Sequence, residues 1–369
     1  MSDVAPVRLA LIGLGWAVHE LWAPLLGGHP GFTVVAVHDP DPVAVRWAGG
    51  RFPAARLLNE PGDLRPDEVD LAVVVTPNHL HAPIAISLLE RGISTFVEKP
   101  VCVSSDEAAA LAEAERVGGA RLLAGSAAWH RADVTALRTL LPRLGPLRAV
   151  ELSWIRARGI PAPGGWFTDR RRAGGGALID LGWHLITIGM RMLSWPRVTQ
   201  VTCAVSGDFL ARAGTEATWR GTGPAAHAAP YAGAPKDVED TARGVLEIEG
   251  GPLVTVCAAW ASHSERDVTR VVLDGATGRA ELTCTFGLSP NGVGGSTLLL
   301  HRDGRAESVD VPQQDRGAEY RRQLDLVPAL LADPGRPGSA IAEVTRTIDI
   351  IERLYQSAGV PQLTAVRPR

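Results

Sequence analysis

A glycine turn between an apolar strand and a helix, near the start of the chain, constrains the fold more than any other feature. Branched apolar residues predict a strand over Val7–Ile12, residues 13–18 (GLGWAV) form the turn, and a helical stretch continues to Leu26. Two glycines at this spacing allow a close approach of the backbone to a pyrophosphate. Val18 replaces the third glycine of the pattern and should hold the helix slightly off the sheet. The turn predicts a dinucleotide-binding role for Gly13, Gly15, Trp16 and Ala17.

An acidic residue follows the second predicted strand. That strand covers residues 32–37, and Asp39 comes 24 residues after Gly15. A carboxylate at this place accepts hydrogen bonds from the adenosine ribose and repels a 2′-phosphate, which favours NAD over NADP. An alternative is that Asp39 only begins the turn over residues 39–42 (DPDP).

Strands and helices alternate through the rest of this region. Apolar runs predict buried strands over residues 71–75, 93–97 and 121–124, with helices between them at about 80–91 and 105–117. This alternation predicts an α/β fold with a doubly wound parallel sheet, that is, a Rossmann domain.

Polar segments follow two of these strands at the place where such sheets bind ligands. The carboxyl ends of parallel strands face the ligand, so residues 76–81 (TPNHLH) and 98–100 (EKP) should lie beside the nicotinamide end of a cofactor. Six residues are expected to contact the cofactor: Thr76, Pro77, Asn78, His81, Glu98 and Lys99.

Lysine is almost absent from the chain, which draws attention to Lys99. Of the 37 basic residues 35 are arginine, and the two lysines are Lys99 and Lys236. Arginine stays protonated in proteins whereas lysine titrates, so a retained lysine indicates a position that needs proton chemistry. An alternative is that Lys99 is a solvated strand terminus.

Runs of strands replace the alternation in the second part of the chain. The predicted strands lie at about residues 148–156, 198–206, 242–249, 252–261, 268–274, 278–285 and 297–301. They predict a large open, mostly antiparallel sheet. We expect a Rossmann domain over residues 1–127 and an α+β domain for substrate binding and oligomerisation over residues 128–369. A closing helix at about 340–358 is expected to pack back on the first domain.

A glycine run leads into a helix that carries an acid and an imidazole. Residues 174–176 are all glycine, and Asp180 and His184 follow at a spacing of four. On a helix this spacing places both side chains on one face, within reach of one ligand. The carboxylate can bind a hydroxyl or raise the basicity of the imidazole. Alternatively, the two side chains form a structural surface pair.

These features together resemble the Gfo/Idh/MocA family, which includes glucose-fructose oxidoreductase and inositol dehydrogenase. The family carries a similar glycine turn, a Glu-Lys-Pro motif matched by residues 98–100, and an Asp-x-Gly-x-His motif matched by Asp180, Gly182 and His184. The resemblance extends from the glycine turn to the closing helix. One departure is Thr187, which stands where an Asp often follows the catalytic His.

The resemblance implies an NAD-dependent oxidoreductase that acts on a hydroxyl or ketone of a sugar, an aminosugar or a cyclitol. It implies that Lys99 is catalytic and that the peptide bond before Pro100 is cis. It also implies a homo-oligomer, a dimer or a tetramer, in which antiparallel sheets pack between subunits.

Aromatic and arginine side chains near the acid and the imidazole are expected to bind the substrate. Flat aromatic faces suit the C–H surface of a sugar, although most tryptophans belong to the core. Trp183 is bulky and adjacent to His184, which points to an unusual substrate preference. The predicted substrate-binding residues are Lys99, Trp129, Arg156, Arg158, Trp166, Asp180, Trp183 and His184.

Two further segments leave alternatives open. Residues 207–240 form a long insertion rich in Gly, Ala and Pro, with Trp219 and Tyr231, and such insertions serve as lids, disordered segments or subunit contacts. The arginines at residues 170–172 would bind an anionic substrate or form a solvated charge run. The opposite hypothesis, an aminosugar or aminoglycoside held by carboxylates, is equally open.

Oxidation of an alcohol needs a group that takes the hydroxyl proton as the hydride leaves. We expect His184 to take it, Asp180 to stabilise the imidazolium or bind a neighbouring hydroxyl, and Lys99 to polarise the reacting oxygen. The roles of Lys99 and His184 exchange if the lysine amine is held neutral. Alternative functions are redox-neutral epimerisation or elimination with retained NAD, and a non-catalytic NAD-binding subunit or sensor.

Composition excludes several classes of partner. A formal net charge of −3 argues against nucleic acid and anionic membranes, and no apolar run approaches the length of a membrane span. Residues 1–6 lack the pattern of a signal peptide, so we expect a cytoplasmic protein. The four cysteines form no CxxC pair, which favours buried free thiols and no metal site.

Overall fold

The computed structural model describes residues 5–161, 165–212, 214–217, 235–333 and 337–363. Most of the predicted insertion, including Trp219 and Tyr231, lies outside the described residues.

Six parallel strands form the first sheet, in the order β3-β2-β1-β4-β5-β6. Their bounds are β1 Val7–Ile12, β2 Phe32–His38, β3 Arg56–Leu57, β4 Leu71–Val74, β5 Thr95–Val97 and β6 Leu122–Ala124. β1 pairs with β2 on one side and β4 on the other, and all of β4 is buried, as in a sheet covered on both faces. The predicted Rossmann sheet is confirmed. Its strand order reverses beside β1, which creates a crevice at the carboxyl ends of β1 and β4.

The helices of this half follow the strands. They are α1 Ala23–Leu26, α2 Pro42–Arg51, α3 Asn78–Glu90 and α4 Ser105–Gly118. Ser104 begins α4, because its hydroxyl accepts a hydrogen bond of 3.2 Å from the backbone N–H of Glu107. The helix predicted after the glycine turn starts instead with a π-helical turn over Val18–Trp22, in which Val18 is fully buried.

The second sheet has eight strands in the order β14-β13-β12-β11-β7-β10-β9-β8. Their bounds are β7 Leu147–Ile155, β8 Val198–Ser206, β9 Thr241–Ile248, β10 Leu253–Ala259, β11 Val268–Gly275, β12 Arg279–Cys284, β13 Thr297–Arg302 and β14 Arg305–Val309. β7 and β10 pair in parallel and the other pairs are antiparallel, so the predicted sheet is confirmed. β7 alternates buried and half-buried positions, and its buried residues face a core shared with α8.

The helices of the second half are α5 Ala132–Thr139, α6 Leu141–Leu144, α7 Arg170–Ala173, α8 Trp183–Met192, α9 Ala318–Ala332 and α10 Ser339–Ser357. A π-helical turn, Leu178–Gly182, leads directly into α8. Nearly every residue of α8 is buried, so this helix is the centre of the second half and not an amphipathic surface helix.

The last two helices pack against the first half. α10 contacts α4 and β6, and the Glu352 carboxylate accepts hydrogen bonds from the backbone N–H and the hydroxyl of Ser105, at 3.1 Å and 2.5 Å. Leu324 and Val327 of α9 join the apolar cluster on one face of the first sheet. The two halves therefore share one continuous packed structure.

Candidate active site

Lys99 and Asp180 meet between the two halves. Lys99 follows β5, and its Nζ lies 2.6 Å from Asp180 Oδ1 and 3.3 Å from the backbone oxygen of Asp180. Their side chains are 21% and 13% exposed, so the pair is largely shielded but reachable from the cleft. The Lys99-Pro100 peptide is cis, as the resemblance implied. The lysine of one half and the carboxylate of the other thus form one ion pair.

Trp260 completes the surroundings of the carboxylate. It follows β10, is fully buried, and donates from Nε1 to Asp180 Oδ2 at 2.8 Å. The pattern of the sequence did not single out Trp260. Burial acts to raise the pKa of Asp180, but the charges of Lys99 and Arg156 and these hydrogen bonds outweigh it and hold the pKa well below its usual range. Asp180 is therefore a carboxylate at every physiological pH.

His184 lies one turn beyond Asp180, in α8. It is 8% exposed, and its ring centroid lies 5.6 Å from that of Trp154. Burial, followed by the charge of Lys99, lowers the pKa of His184 to about 3 despite the opposing charge of Asp180. Both oxygens of Asp180 accept from other donors, and no hydrogen bond joins the carboxylate to the imidazole in the described part of the chain. His184 is a neutral imidazole at neutral pH.

Arg156 supplies a second cation behind the pair. Its guanidinium lies 5.1 Å from the centre of the Trp154 ring. Burial lowers the pKa of Arg156, and the charges of Asp180 and Asp267 oppose that change. The site therefore holds two cations and one carboxylate around a neutral imidazole.

The glycine run before the π-helical turn has a steric cause. Gly174 adopts a φ of 87°, a Cβ on Gly175 would overlap the Tyr355 hydroxyl, and a Cβ on Gly176 would overlap the backbone oxygen of Glu239. Side chains are excluded at Gly175 by α10 and at Gly176 by the segment before β9, whereas Gly174 is required for its positive φ and its contacts with Val103 and Ile179.

Glu239 anchors the same turn. Its buried carboxylate accepts hydrogen bonds from the backbone N–H of Gly176 at 3.0 Å and of Leu178 at 2.9 Å, and from the hydroxyl of Tyr355 at 2.8 Å. Burial raises the pKa of Glu239, and these donors oppose the rise. Glu239 was not predicted, although it holds the start of the segment that carries Asp180.

The turn after β1 fits a dinucleotide. Gly13 has a φ of 90°, and a Cβ there would lie 2.6 Å from the backbone oxygen of Val75, so only glycine fits. A Cβ on Gly15 would meet nothing within 4 Å, which leaves the backbone open to a pyrophosphate. Thr76 Oγ1 is buried beside this turn and finds no hydrogen-bond partner among the described residues. An unpartnered hydroxyl here is accounted for by a bound cofactor.

Asp39 serves the local backbone and remains available to a ribose. Its Oδ2 accepts from the backbone N–H of Leu14 at 2.7 Å, and its Oδ1 accepts from that of Asp41 at 2.8 Å. The second bond makes Asp39 a turn residue, as the alternative interpretation predicted, and the first ties it to the glycine turn. Each carboxylate oxygen accepts more than one hydrogen bond, so both roles are compatible. Trp16 and Ala17 are half-buried at the same turn.

Two residues predicted to contact the cofactor bind protein atoms instead. The two ring nitrogens of His81 lie 2.7 Å from the backbone oxygens of Pro100 and Thr76, and burial lowers the pKa of His81 to about 4. Asn78 Nδ2 donates to the backbone oxygen of Ala173 at 2.7 Å. These contacts give both side chains a role in holding the strand ends together. Pro77 is half-buried beside them.

Glu98 lies beneath Lys99. Its carboxylate accepts from Trp22 Nε1 at 3.0 Å and from the backbone N–H of Lys99 at 3.1 Å. Burial raises the pKa of Glu98. The contact with Trp22, which was not predicted, connects the first helical segment to the residue before Lys99.

The predicted substrate-binding residues are more dispersed. Arg158 is exposed, Trp166 is half-buried with its ring centroid 3.9 Å from that of Phe167, and Trp183 is buried in the core. Trp129 is flanked by the guanidinium groups of two arginines, and one of them, Arg191, lies about 10 Å further along α8 than His184. Their roles in binding substrate stay predictions.

Family models match both halves of the chain. A model described as an oxidoreductase family with an NAD-binding Rossmann fold matches residues 7–126, and the GFO/IDH/MocA C-terminal domain matches residues 137–281. In the described part of the chain, the helices are too short or too polar to cross a membrane.

Similar proteins extend over almost the whole chain. A protein of Amycolatopsis mediterranei (strain S699), provisionally named UDP-kanosamine synthase oxidoreductase subunit, is 49% identical and covers 96% of both chains. The NAD complex of GenD2 from gentamicin A biosynthesis superimposes with a TM-score of 0.73 at 23% identity, over 99% of this chain and 98% of that one. KijD10, a 3-ketoreductase from Actinomadura kijaniata in complex with NADP and TDP-benzene, gives 0.74 at 19% identity, over 95% and 98%. The chain belongs to the GFO/IDH/MocA family and is an NAD(P)-dependent oxidoreductase.

Proposed function

We propose that the protein oxidises one secondary hydroxyl of a nucleotide-linked hexose to a ketone, with NAD as hydride acceptor, as a step toward an aminosugar. The observation that carries the proposal is the pair of Lys99 and Asp180, which joins the two halves at the cofactor end of the cleft. Kanosamine carries an amine at C3 in place of a glucose hydroxyl, and the relative named for UDP-kanosamine supports C3 as the position oxidised. A non-catalytic NAD-binding subunit would not need Lys99, Asp180 and His184 together.

We assign Lys99 as the group that accepts the hydroxyl proton. Oxidation moves a hydride from carbon to the nicotinamide and leaves a proton to be taken from oxygen. Lys99 accepts the proton as a neutral amine, so in the proposed step it first releases its own proton to solvent, and the ammonium formed again on taking the hydroxyl proton is stabilised by Asp180 at 2.6 Å. An imidazolium on His184 would instead form in a buried place beside the cations of Lys99 and Arg156, and burial first and these charges second lower its pKa. His184 then binds the reacting or a neighbouring hydroxyl as a neutral imidazole, which exchanges the roles first expected from the sequence.

NAD is proposed over NADP because of Asp39. Its carboxylate closes the end of β2 and is tied to the glycine turn through Leu14. A 2′-phosphate placed there would meet this negative charge. Asp39, Gly13, Gly15 and Thr76 are the residues we assign to the cofactor.

The ketone product needs a further enzyme. A sugar ketone becomes an aminosugar by amine transfer, so we propose an amine-transferring enzyme as the partner that consumes the product, in line with the word subunit in the relative's name. The cytoplasmic location and the homo-oligomer stay predictions.

A substrate panel tests the proposal. Purified protein is incubated with NAD or NADP and UDP-glucose, glucose, methyl glucoside, glucosamine, an aminoglycoside or myo-inositol, and NAD(P)H is read at its absorbance band. We expect the fastest turnover with UDP-glucose and NAD. Turnover only with free sugars or cyclitols would overturn the proposal of a nucleotide-linked substrate. NAD that stays bound and is reduced and then reoxidised, without net formation of NADH, would favour epimerisation or elimination.

The two lysines offer a matched pair of variants. Lys99→Ala should lower kcat about 1,000-fold or more while NAD still binds, and Lys236→Ala should leave kcat within about twofold. Methylamine should partly restore Lys99→Ala. Near-normal turnover of Lys99→Ala would refute the assignment of the proton to Lys99. So would a rescue that is seen only when imidazole is added to His184→Ala.

A further inference from the structure

The carboxylate of Asp180 has one donor on each oxygen. Lys99 Nζ lies 2.6 Å from Oδ1 and Trp260 Nε1 lies 2.8 Å from Oδ2. Among the described residues no third side chain donates to this carboxylate. The two bonds therefore fix the plane in which Asp180 presents its charge to the lysine.

Trp260 is held rigidly by the second sheet. It is fully buried, it follows β10 directly, and its backbone N–H donates to the backbone oxygen of Asp240 at 2.8 Å. Its own carbonyl lies so close to Gly159 that a Cβ there would come within 2.8 Å of it. The indole N–H is thus the fixed member of the group formed by Trp260, Asp180 and Lys99.

Lys99 is the adaptable member. A lysine side chain is a flexible stem with a point charge, so its ammonium lies where its acceptors are. In the described part of the chain, the ammonium of Lys99 has two acceptors, and both belong to Asp180. They are the carboxylate oxygen and, at 3.3 Å, the backbone oxygen. The position of the ammonium is consequently set by Asp180, and the orientation of Asp180 is set by Trp260.

We propose that Trp260 is a positioning residue for the reaction, which acts on Lys99 through Asp180 without touching substrate or cofactor. The inference rests on the proposed function, in which Lys99 exchanges the hydroxyl proton. Trp260→Phe keeps an aromatic ring in the core and removes the N–H. Trp195→Phe is the matched control, because Trp195 Nε1 also donates to a carboxylate, Glu343 Oε1 at 3.1 Å, away from the site.

The first test reads the lysine directly and needs no substrate. Trinitrobenzenesulfonate modifies accessible amines, and mass spectrometry follows Lys99 with the exposed Lys236 as the internal reference. In Trp260→Phe the rate of Lys99 modification relative to Lys236 should change about threefold or more, while Trp195→Phe should leave the ratio unchanged. An unchanged ratio in folded Trp260→Phe would overturn the inference.

The second test uses UDP-glucose and NAD. Loss of a hydrogen bond to a charged group predicts a kcat about 10- to 100-fold lower in Trp260→Phe, with the affinity for NAD within about twofold of wild type. In an Asp180→Asn background, Trp260→Phe should add less than about twofold, because the two residues act as one unit. Independent, multiplying effects would contradict the coupling.

The outcomes separate this inference from the proposed function. Full turnover of Lys99→Ala would refute the proposed function itself. Loss of turnover in Lys99→Ala together with normal kcat in Trp260→Phe would refute only the role of Trp260. If Trp260→Phe does not fold, the indole N–H signals of ¹⁵N-labelled tryptophan are compared between wild type and Asp180→Asn. One buried indole N–H signal should move more than the others. No such movement would overturn the inference.

Discussion

Replacing Tyr355 with Phe removes one hydroxyl from the buried carboxylate that organises the glycine run. That hydroxyl donates to Glu239 Oε1 at 2.8 Å, and the backbone N–H of Gly176 lies 3.3 Å from it. Phe retains the ring, including its contact with the guanidinium of Arg170 at 5.1 Å. Glu239 keeps its bonds to the backbone at Gly176 and Leu178, so the variant removes one donor to the carboxylate together with a weak second acceptor of the Gly176 N–H.

The expected loss follows from the charge and the burial of the acceptor. A hydrogen bond to an ionised group contributes about 1.5–3 kcal/mol, and water does not reach Glu239 to replace the donor. We expect Tyr355→Phe to lower the free energy of unfolding by about 2 kcal/mol. Burial raises the pKa of Glu239, so the loss should be largest at pH 8, where the group is ionised in the folded protein. It should shrink at pH 5, as the carboxyl gains its proton and its charge disappears.

Urea unfolding followed by tryptophan fluorescence at pH 8 and pH 5 measures this loss. Ser357→Ala is the control in the same helix, because it removes an exposed hydroxyl that donates to the backbone oxygen of Leu354 at 2.9 Å. It should change the free energy of unfolding by less than about 0.5 kcal/mol. A loss in Tyr355→Phe no larger than in the control, or a loss that grows at pH 5, would refute the role assigned to Glu239.

Two further predictions follow from burial and steric exclusion. Gly176→Ala should destabilise the protein by about 3 kcal/mol or more in the same urea assay, because its Cβ meets the rigid backbone oxygen of Glu239. The control is Gly50→Ala in α2, where the Cβ enters open space, and it should be neutral or slightly stabilising. Burial, followed by neighbouring arginine charges, lowers the pKa of His130 to about 4, so its contribution to stability is complete above pH 6.5 and is lost as pH falls toward 4. Between pH 6.5 and 4.5, the free energy of unfolding should change less steeply with pH in His130→Gln than in wild type. The two slopes should differ by at most about 1.4 kcal/mol per pH unit. Identical slopes would contradict the assignment.

The fold was predictable wherever burial left a periodic pattern. β1 and β8 begin and end at the predicted residues, because apolar runs bounded by turn residues mark them clearly. The helices α2, α5, α6, α7 and α9 and the strands β3 and β14 were not predicted, and three of these elements clearly lack such a pattern. β3 is two exposed residues long, β14 is an exposed edge strand, and α2 contains Gly49 and Gly50 and depends on the cap of Asp41 on Val43.

The sequence singled out the residues of the candidate site but did not predict which of them pair. The scarcity of lysine singled out Lys99, and the spacing of four singled out Asp180 and His184. Sequence spacing favoured a pair of Asp180 with His184, yet Asp180 binds Lys99, 81 positions away along the chain. A distance across two halves has no local signature, so only the packed structure decides which neighbour a carboxylate chooses.

Trp260 and Glu239 show what sequence patterns miss and where a signal existed. A single tryptophan at a strand end resembles any core residue, and nothing in the sequence marks Trp260. For Glu239 an indirect signal was present, because the three glycines at residues 174–176 imply that another segment approaches that turn closely. The identity of that segment depends on the tertiary fold, since it lies more than 60 positions further along the chain.

The contacts between the two halves bear on how the enzyme selects its substrate. Asn78 binds the backbone of Ala173, Ser105 binds Glu352, and Lys99 binds Asp180, so polar bonds cross the boundary at three separate places besides the packing of α9 and α10. Opening the cleft by moving one half away from the other would break buried or half-buried polar bonds, each costly in free energy. Substrate selection by hinge closure is therefore disfavoured. We expect specificity to come from the described segments beside Trp260 and Asp180, which makes residues 156–161 and 235–240 the places to exchange between relatives that differ in substrate.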